Sequence, residues 1–430
     1  MSNTNKSPPR TMDLVARSLA KRYRAERRFR LYGLVSVVIG VSALVVVFWE
    51  IFSAGLGGFQ QTYIQMKVTF DPEVLEITDV RDPQQLRFGN YEGVVRAALV
   101  ERFPEVRDRR ERRDLYNMMS IGAAFDLRDK LSADPELLGQ QKTYWLLADD
   151  DVDTYYKTLR GGQAFTARTN DARQGRIQAL IDSGTIRTQF NTGLFTSGDS
   201  SEPEMAGILG AVVGSLLTLL VTLALSFPVG VAAAVYLEEY APRNRFTDLI
   251  EVNISNLAAV PSIIFGLLGL SIFIGLFGMP RSIPLVGGLV LTLMTLPTII
   301  ISSRNAIKAV PPSIREAAFG IGASKMQMIL HHVLPLAMPG MLTGAIIGMA
   351  QALGETAPLL MIGMVAFIMD VPNGITDSAT VLPVQIFLWS DSPERAFVER
   401  TSAAIMVLLA FLVCMNTLAV WLRKRLERRW

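Results

Sequence analysis

One acidic residue stands inside an otherwise apolar stretch of the chain. Glu355 lies in the segment QALGETAPLL, residues 351–360, near the middle of an apolar run from Pro339 to Ile368. An ionised carboxylate at the centre of a bilayer costs roughly 2.5 kcal/mol or more on insertion scales, so it must face protein or water. Pro358 has no N–H and would leave the carbonyl group of Gly354 without its helical partner. The segment therefore predicts a kinked membrane helix that carries a buried acid.

The other polar residues form no catalytic constellation. The sequence has no G-x-x-x-x-G-K-[ST] loop that could cradle the phosphates of ATP. Its single cysteine, Cys414, has no second cysteine with which to form an internal disulfide. We therefore expect a protein that is not an enzyme and that holds neither a metal nor a cofactor.

The composition is that of a membrane protein. Of the 430 residues, 50% are hydrophobic and 19% are charged, and the mean hydropathy is +0.32. A helix needs about 20 apolar residues to cross a bilayer. We expect six such spans: Leu31–Leu56, Met205–Leu237, Asn253–Gly278, Pro284–Ser302, Pro339–Ile368 and Thr401–Leu422. The predicted fold class is an all-α polytopic membrane protein with six transmembrane helices.

The basic residues are segregated in a way that predicts the orientation. Nine lysines and arginines precede the first span, in residues 1–30, and five follow the last span. The positive-inside rule then places both termini in the cytoplasm, and an even number of spans agrees with it. Counting inward puts Arg304–Met338 in the cytoplasm and Met369–Arg400 outside. A nucleic-acid-binding arm or a cleavable signal peptide would be the alternatives, but a long apolar span follows the basic leader at once.

The block between the first two spans, Gly57–Glu204, is polar and large enough to fold around its own core. Short β-branched runs at Met66–Phe70 and Val74–Ile77 alternate with charged helical patterns, which predicts an extracytoplasmic α+β insertion. The charged run Arg107–Arg113 could bind a ligand, but alternating signs are more typical of a solvated helix face. The expected organisation is residues 1–30 as basic leader, 31–56 as first span, 57–204 as insertion and 205–430 as membrane domain with its loop 304–338.

Small residues recur every four positions along the fifth span: Gly340, Gly344, Gly348 and Ala352. Such a stripe lets two helix backbones approach closely in lipid, so we expect it to serve helix packing. Prolines interrupt several spans, among them Pro261 and Pro297. They indicate broken helices, which line cavities more often than they face lipid.

The loop between the fourth and fifth spans holds the most specific motif. It reads VPPSIREAAFGIGASKMQMILHHVLP over residues 310–335. Ser313 and Glu316 have the S-x-x-E spacing of a capping box, so a helix should begin at Ile314. Gly322 can adopt the left-handed conformation that ends such a helix. The first half of the loop therefore predicts one short helix and a sharp turn.

The second half of the loop repeats the capping pattern at Ser324 and Gln327 and is expected to be closed by Pro335. The whole loop is then a hairpin of two short helices with exposed apolar side chains: Phe319, Ile321, Met326 and Met328. An exposed apolar patch on a rigid hairpin suggests docking into the groove of a partner. From physics alone, a helix pair packed under its own bundle would be an equal alternative.

This loop resembles the EAA loop of importer-type ABC transporter permeases. The family pattern is E-A-A, three residues, Gly, nine residues, one usually aliphatic position, any residue and L-P. The matched positions are Glu316, Ala317, Ala318, Gly322, Leu334 and Pro335. His332 departs from the pattern, because it stands at the usually aliphatic position. The resemblance implies that the loop couples to a separate ATP-hydrolysing subunit, with Glu316 at the start of the coupling helix and Gly322 at its turn.

Further stretches resemble one branch of this family, the PstA-type permeases of phosphate importers. They are VYLEEYAPRNR, residues 235–245; NISNLAAVPSIIFGLLGL, 253–270; AVPPSIREAA, 309–318; and ALGETAPLL, 352–360. The resemblance covers about Pro203–Trp430 and implies one half of a pore in the bacterial inner membrane. It also implies the partners: a second permease (PstC-like), two copies of an ATPase (PstB-like), a periplasmic phosphate-binding protein (PstS-like) and membrane lipid, but no nucleic acid.

For Glu355 the resemblance narrows the choice of roles. Phosphate is an anion that a bare carboxylate repels, so we expect Glu355 to hold a gate or a subunit contact instead of the substrate. It would do so through an ion pair or as a protonated hydrogen-bond donor. The pairing cation would be Arg304 or an arginine of the partner permease, and Pro358 would belong to the same pathway. A merely structural buried acid is the alternative.

Two other functions are left open by the sequence. The substrate could be another oxyanion, such as molybdate or sulfate, or the chain could be a membrane-bound sensor or scaffold that uses the external insertion. A sensor has no need for an ATPase-docking loop, so the EAA pattern favours transport. The resemblance implies no role for the insertion.

Overall fold

The computed structural model describes residues 11–79, 82–161, 170–365 and 367–426. Lys6, Arg10, Arg428 and Arg429, which belong to the predicted basic ends, lie outside these ranges. The chain forms two units, Met1–Ser53 and Ala54–Trp430. The first unit contains most of helix α1, Thr11–Gly58.

An α+β module follows α1 within the predicted insertion. Its elements are β1 Gln60–Thr69, α2 Pro72–Leu75, α3 Pro83–Phe88, α4 Tyr91–Arg102, α5 Arg109–Tyr116, α6 Ile121–Ala133, β2 Gln141–Leu147, α7 Asp150–Gly161, α8 Asp171–Asp182, β3 Ile186–Phe190 and α9 Gly193–Thr196, with a 3-10 turn at Pro135–Leu137. The strands form one antiparallel sheet in the order β2-β1-β3. Alternate residues of β1, Ile64, Met66 and Val68, point into a core that includes Leu99 of α4 and Leu127 of α6. The mixed α+β character is confirmed.

One local prediction for this module was wrong and another was confirmed. The run Val74–Ile77 is not a strand, because Asp71 caps the N–H of Glu73 and Pro72 opens a short helix there. The charged run Arg107–Arg113 lies at the start of α5, where Asp108 is the N-cap, and its side chains are exposed. It is a solvated helix face, as expected.

All regular elements among the described residues of the membrane part are helices, and residues 367–381 form an irregular connection. The helices are α10 Leu209–Val235, α11 Arg245–Leu257, α12 Ser262–Gly269, α13 Pro284–Lys308, α14 Pro312–Gly320, α15 Lys325–Met328, α16 Leu334–Gly354, α17 Ala357–Met361, α18 Leu382–Ser390 and α19 Ala396–Leu426. Three π turns extend these helices, at Tyr236–Tyr240, Leu270–Leu276 and Ile329–Val333.

Five helices of the described residues are long and apolar enough to cross a membrane: Lys21–Gly58, Leu209–Tyr240, Pro284–Lys308, Lys325–Gly354 and Ala396–Arg425. A sixth crossing needs the helix pair Arg245–Leu257 and Ser262–Leu276, which bends by 100°. The break that Pro261 predicted in this span is therefore present, but the predicted bounds Asn253–Gly278 were wrong, because the first helix of the pair begins at Arg245. The bend lies just before Pro261, because a proline disfavours the helical conformation of the residue that precedes it.

The predicted fifth span, Pro339–Ile368, also differs from the structure. The helix there begins earlier, at Lys325, and ends at Gly354, after which the short helix α17 follows. Pro358 lies in the first turn of α17, where its missing N–H needs no helical partner. Glu355 therefore stands at a break between two helices and not in the middle of one kinked span.

Helix α13 lies between α10 and α16 and packs closely on both. A Cβ atom placed on Gly288 of α13 would come within 2.5 Å of Val221 of α10. The small-residue stripe of α16 faces the other side of α13, since a Cβ on Gly340 would come within 2.6 Å of Ala306. Neither glycine can be enlarged without moving a backbone, which confirms that the stripe serves helix packing.

Candidate functional site

A hairpin of two helices occupies the predicted loop. Its first helix, α14, begins at Pro312, and Ser313 makes no capping bond, so the predicted start at Ile314 was wrong. A proline at the first helical position has its φ angle already fixed and has no N–H to satisfy, which favours a helix start at Pro312. The turn after α14 contains Gly322 with a φ of +83°, which confirms the predicted left-handed turn.

The second helix of the hairpin continues into a membrane helix. Ser324 and Gln327 form the predicted capping box, with reciprocal bonds of 3.3 and 2.9 Å between side chain and backbone. The prediction that Pro335 closes the loop was wrong. The N–H of Leu334 bonds to the carbonyl oxygen of Ile329 across a π turn, and Pro335 follows in the first turn of α16. The hairpin is thus joined to α16 without a flexible connection.

The exposed apolar side chains of the hairpin include Phe319, Ile321 and Met326, and we call these three residues the docking face. Ile321, at the turn, is 79% exposed. Met328 was also expected on this face, but it is buried in the cluster beneath the hairpin, together with Ala318 and Val333. Met328 lies two residues after Met326 on a helix, so the two side chains point in different directions.

The other family-matched positions divide between the surface and this cluster. Glu316 and Ala317 are exposed beside the docking face, whereas Ala318 is buried below it. His332, Leu334 and Pro335 are half-buried where the hairpin joins α16. The E-A-A run therefore has two residues that a partner can reach and one that packs the hairpin onto its base.

An ion pair fastens the first helix of the hairpin to the end of α10. The guanidinium group of Arg315 donates to the carboxylate of Glu239 at 3.0 and 3.1 Å. Arg315 also donates to the carbonyl oxygens of Ile307 and Val310, at and just beyond the end of α13, at 2.9 and 2.7 Å. One side chain of the hairpin thus holds the ends of two membrane helices.

The neighbouring acid makes a second connection. Glu238 accepts a bond from Arg304 of α13 at 2.5 Å and lies 3.3 Å from the Nζ atom of Lys308. Arg304 also pairs with Glu251 of α11. The guanidinium group is buried, and its two acidic partners neutralise it. This network fixes α10, α11 and α13 to one another at the hairpin end of the bundle.

The π turn that carries both acids also touches the second hairpin helix. The hydroxyl of Tyr240 lies 3.8 Å from the sulfur of Met326, and the Nζ atom of Lys325 lies 4.8 Å from the centre of the Tyr240 ring. Sequence reasoning did not select Glu238 or Glu239 as site residues. Their signal was two adjacent acids directly after an apolar span, in VYLEEYAPRNR.

Glu355 lies apart from this network. It is half-buried in extended backbone between α16 and α17, and among the described residues its carboxylate has no hydrogen bond or ion pair. The suggested pair between Arg304 and Glu355 is not formed, because Arg304 is taken by Glu238 and Glu251. Pro358 is buried against Gly266 of α12, so the broken segment packs on the bent helix pair.

The geometry of the hairpin and its base suits transmission of motion. A rigid hairpin presents apolar side chains outward. Arg315 binds its base to α10 through Glu239 and to the end of α13 through two backbone carbonyl groups. A body that gripped the docking face would move those helix ends with it.

Two family models match the chain. Residues 226–430 match the "Binding-protein-dependent transport system inner membrane component" family, and residues 16–162 match a domain of unknown function, DUF3333. The first match includes the hairpin, the acid pair at the end of α10 and Glu355. The second includes most of the module.

Several curated proteins are similar to the membrane part. The phosphate transport system permease protein PstA 1 of Mycobacterium tuberculosis is 33% identical over 230 residues, which are 53% of this chain and 74% of that protein. The probable ABC transporter permease YqgI of Bacillus subtilis is 33% identical over 186 residues, 43% of this chain and 62% of that protein. The chain thus spans less than two thirds of YqgI. A solved structure of the MetNI methionine ABC transporter is similar over 53% of this chain and 100% of the solved chain, at 20% identity and a TM-score of 0.43.

Proposed function

The chain belongs to the family of binding-protein-dependent inner-membrane permeases that includes the PstA proteins, and we propose that it is the permease subunit of an ATP-driven phosphate importer. It would form one half of the translocation pathway. The observation that carries this proposal is the hairpin, whose exposed docking face stands on a base tied to α10 and α13. The identity to phosphate permeases supports the choice of substrate.

The proposed partners follow from the two ends of the pathway. A PstC-like permease would complete the pore, a PstB-like ATPase would grip the docking face, and a PstS-like binding protein would deliver phosphate. The hairpin end is then cytoplasmic, and so are both termini, which the nine basic residues of the leader support. The module would lie outside, on the side of the binding protein.

Force would travel from the ATPase to the membrane through named contacts. Closure of the ATPase would pull Phe319, Ile321 and Met326, and Arg315 would carry that motion to Glu239 at the end of α10. The same arginine holds the carbonyl groups of Ile307 and Val310, so α13 would follow. Because α13 packs closely on α10 and α16, the three helices would tilt together.

Glu355 would act at the pathway and not as a phosphate ligand. Its half-buried carboxylate has no partner among the described residues, and Arg304 is already neutralised. A cation from the partner permease is therefore the proposed counterpart. The position at a helix break, beside the buried Pro358, supports a role in a gate, since broken helices at membrane depth line cavities.

The docking face can be tested with one substitution and a matched control. Ile321→Asp places a charge where an apolar groove of the ATPase would close, whereas Phe88→Asp places one in the module, and both residues are 79% exposed. We expect Ile321→Asp to lose co-purification with the ATPase and ATP-driven phosphate uptake in membrane vesicles. Phe88→Asp should keep both. Normal ATPase binding by Ile321→Asp would refute the proposed coupling.

The choice of substrate needs a separate measurement, because a test of the docking face does not report which anion is transported. Radioactive phosphate uptake would be competed with sulfate and molybdate in vesicles that contain the complete transporter. We expect competition by neither anion. Uptake of molybdate or sulfate in place of phosphate would keep the permease role and overturn the phosphate assignment.

A further inference from the structure

Three phenylalanine rings form a stack where the module meets the end of α1. The ring centres of Phe59 and Phe195 lie 6.0 Å apart, and so do those of Phe195 and Phe190. The ring planes differ by only 10° in the first pair and 5° in the second, which is an offset stacking that aromatic side chains favour. Phe195 therefore contacts both of the other rings, and we call these three residues the aromatic stack.

One buried asparagine holds the backbone of the stack in place. Asn191 follows Phe190, is fully buried, and donates its backbone N–H to the carbonyl oxygen of Phe59 at 2.8 Å. Its side-chain amide donates to the carbonyl oxygen of Gly58 at 3.2 Å, and its Oδ1 atom accepts the N–H of Leu194 at 3.0 Å. Asn191 therefore ties the end of β3 and the start of α9 to the last residue of α1.

The ends of three membrane helices lie beside the stack. Phe59 directly follows Gly58, where the first membrane-crossing helix ends. A Cβ atom on Gly58 would come within 2.8 Å of Ala403, which lies in the second turn of α19. The N–H of Ile208, the residue before α10, bonds to the carbonyl oxygen of Leu194 at 2.8 Å. Because membrane helices leave the hydrocarbon at their ends, the stack lies near the surface of the bilayer.

Charged residues at the start of α19 locate that surface more narrowly. Arg400 donates to the carbonyl oxygen of Gly58 at 3.0 Å, and Glu399 accepts a bond from Lys157 of the module at 3.0 Å. Charged side chains are costly within the hydrocarbon, so these groups belong to the head-group side of the boundary. Gly58, and with it the aromatic stack, therefore lies where the hydrocarbon gives way to the head groups.

The stack also continues an apolar surface of α1. Leu56 belongs to the first membrane-crossing helix, is 59% exposed and lies about one helical turn before Phe59. The exposed fraction rises along the stack, from the half-buried Phe59 to 39% for Phe195 and 61% for Phe190. Aromatic side chains are enriched where a protein passes from hydrocarbon to head groups. The position and the continuity with Leu56 therefore point to lipid as the partner of the exposed rings.

We propose that the aromatic stack inserts into the bilayer surface on the side of the module, and that its partner is the boundary between the head groups and the acyl chains of phospholipid. A water-soluble binding protein would approach the module from above, whereas the rings lie at the level of the helix ends. The insertion would hold the end of β3 against the membrane, in addition to the ion pair that ties the module to α19. This role goes beyond transport, because it uses neither the substrate nor the ATPase.

A nitroxide spin label on Phe190→Cys tests this contact. Cys414→Ala first removes the single cysteine, and the labelled full chain is measured in phospholipid nanodiscs, alone and with its partner subunits bound. Apolar oxygen collides with a label in lipid, whereas a polar nickel chelate collides with a label in water. We expect the ratio of oxygen to nickel collisions for Phe190→Cys to be close to that for Val45→Cys, a residue of the first membrane-crossing helix that is 60% exposed.

The matched control is Phe88→Cys, at a phenylalanine of the module that is 79% exposed. The next residue, Gly89, lies beside Leu75 of α2, which follows the far end of β1. The 10 residues of β1 span about 30 Å, so Phe88 lies far along the module from Phe59. We expect the collision ratio to be several-fold lower for Phe88→Cys than for Phe190→Cys.

Two results would overturn the proposal. A collision ratio for Phe190→Cys as low as that for Phe88→Cys would place the stack in water. A label that is immobile and shielded from both reagents when the partner subunits are bound would place it against the second permease. If Phe190→Cys fails to fold, Phe195→Cys decides the result, because it labels a ring of the same stack. The measurement uses neither phosphate nor ATP, so its failure would leave the transport function standing.

Discussion

Arg315→Met should separate ATP hydrolysis from transport. The guanidinium group makes four hydrogen bonds, two to Glu239 and one each to two backbone carbonyls. Its loss leaves the Glu239 side chain, which is 9% exposed, without its cation. Breaking a fully buried pair costs about 3–5 kcal/mol. Arg315 is 22% exposed, so we expect about 2–3 kcal/mol here.

That free energy sets the expected size of the functional effect. Every 1.4 kcal/mol changes an equilibrium tenfold, so the state with the hairpin detached from α10 should become roughly 30 to 150 times more populated. The docking face is unchanged, so the ATPase should still bind and hydrolyse ATP. Phosphate taken up for each ATP hydrolysed should fall at least about tenfold.

Both quantities can be measured in the same proteoliposomes that contain the assembled transporter. The matched control is Arg96→Met, which removes an exposed ion pair with Glu92 in the module. Such surface pairs contribute about 0–1 kcal/mol, so uptake per ATP should not change. If Arg315→Met co-purifies with the ATPase and keeps the wild-type ratio of uptake to hydrolysis, the ion pair does not carry the motion.

Three further outcomes are expected. Glu355→Gln should assemble with its partners but lose most phosphate uptake in vesicles, and normal uptake would remove the gate role. Burial raises the pKa of Asp149 from 3.8 to about 8 and that of Glu204 from 4.5 to about 7. Stability from these groups is therefore present below about pH 4 and is lost as pH rises to about 8, so the Tm should be higher at about pH 5 than at about pH 8. Lys157→Met removes the ion-pair partner of Asp153 and Glu399 and should lower the free energy of unfolding by about 3 kcal/mol in denaturant titrations. Its control, Lys142→Met, changes an exposed strand residue and should alter that free energy little.

The sequence predicted the helical class and the hairpin because both depend on local patterns. Apolar length identified the spans. Gly322 marked the turn because glycine readily adopts the left-handed conformation that residues with a side chain avoid. Pro261 predicted a break in the third span, but the size of the bend, 100°, was not predicted, since composition alone does not give the angle between the two halves. The role of Glu238 and Glu239 was missed for a different reason. Their arginine partners are 66 and 76 residues away in the chain, and only the packed helices bring them together.

Buried charges occur at both ends of the membrane part, and they fasten different helices. At the hairpin end, Arg315 joins the hairpin to α10 and α13. At the other end, Lys157 of the module donates to Glu399 of α19 at 3.0 Å and to the carbonyl oxygen of Gly57 at 2.9 Å. Buried ion pairs seldom stabilise a protein more than apolar packing, but they do fix which groups lie together. The module should therefore move with α19 and the hairpin with α10. Glu204 leads into α10 and accepts a hydrogen bond from Ser120 of the module, so a transport cycle that shifts α10 against α19 would strain this contact.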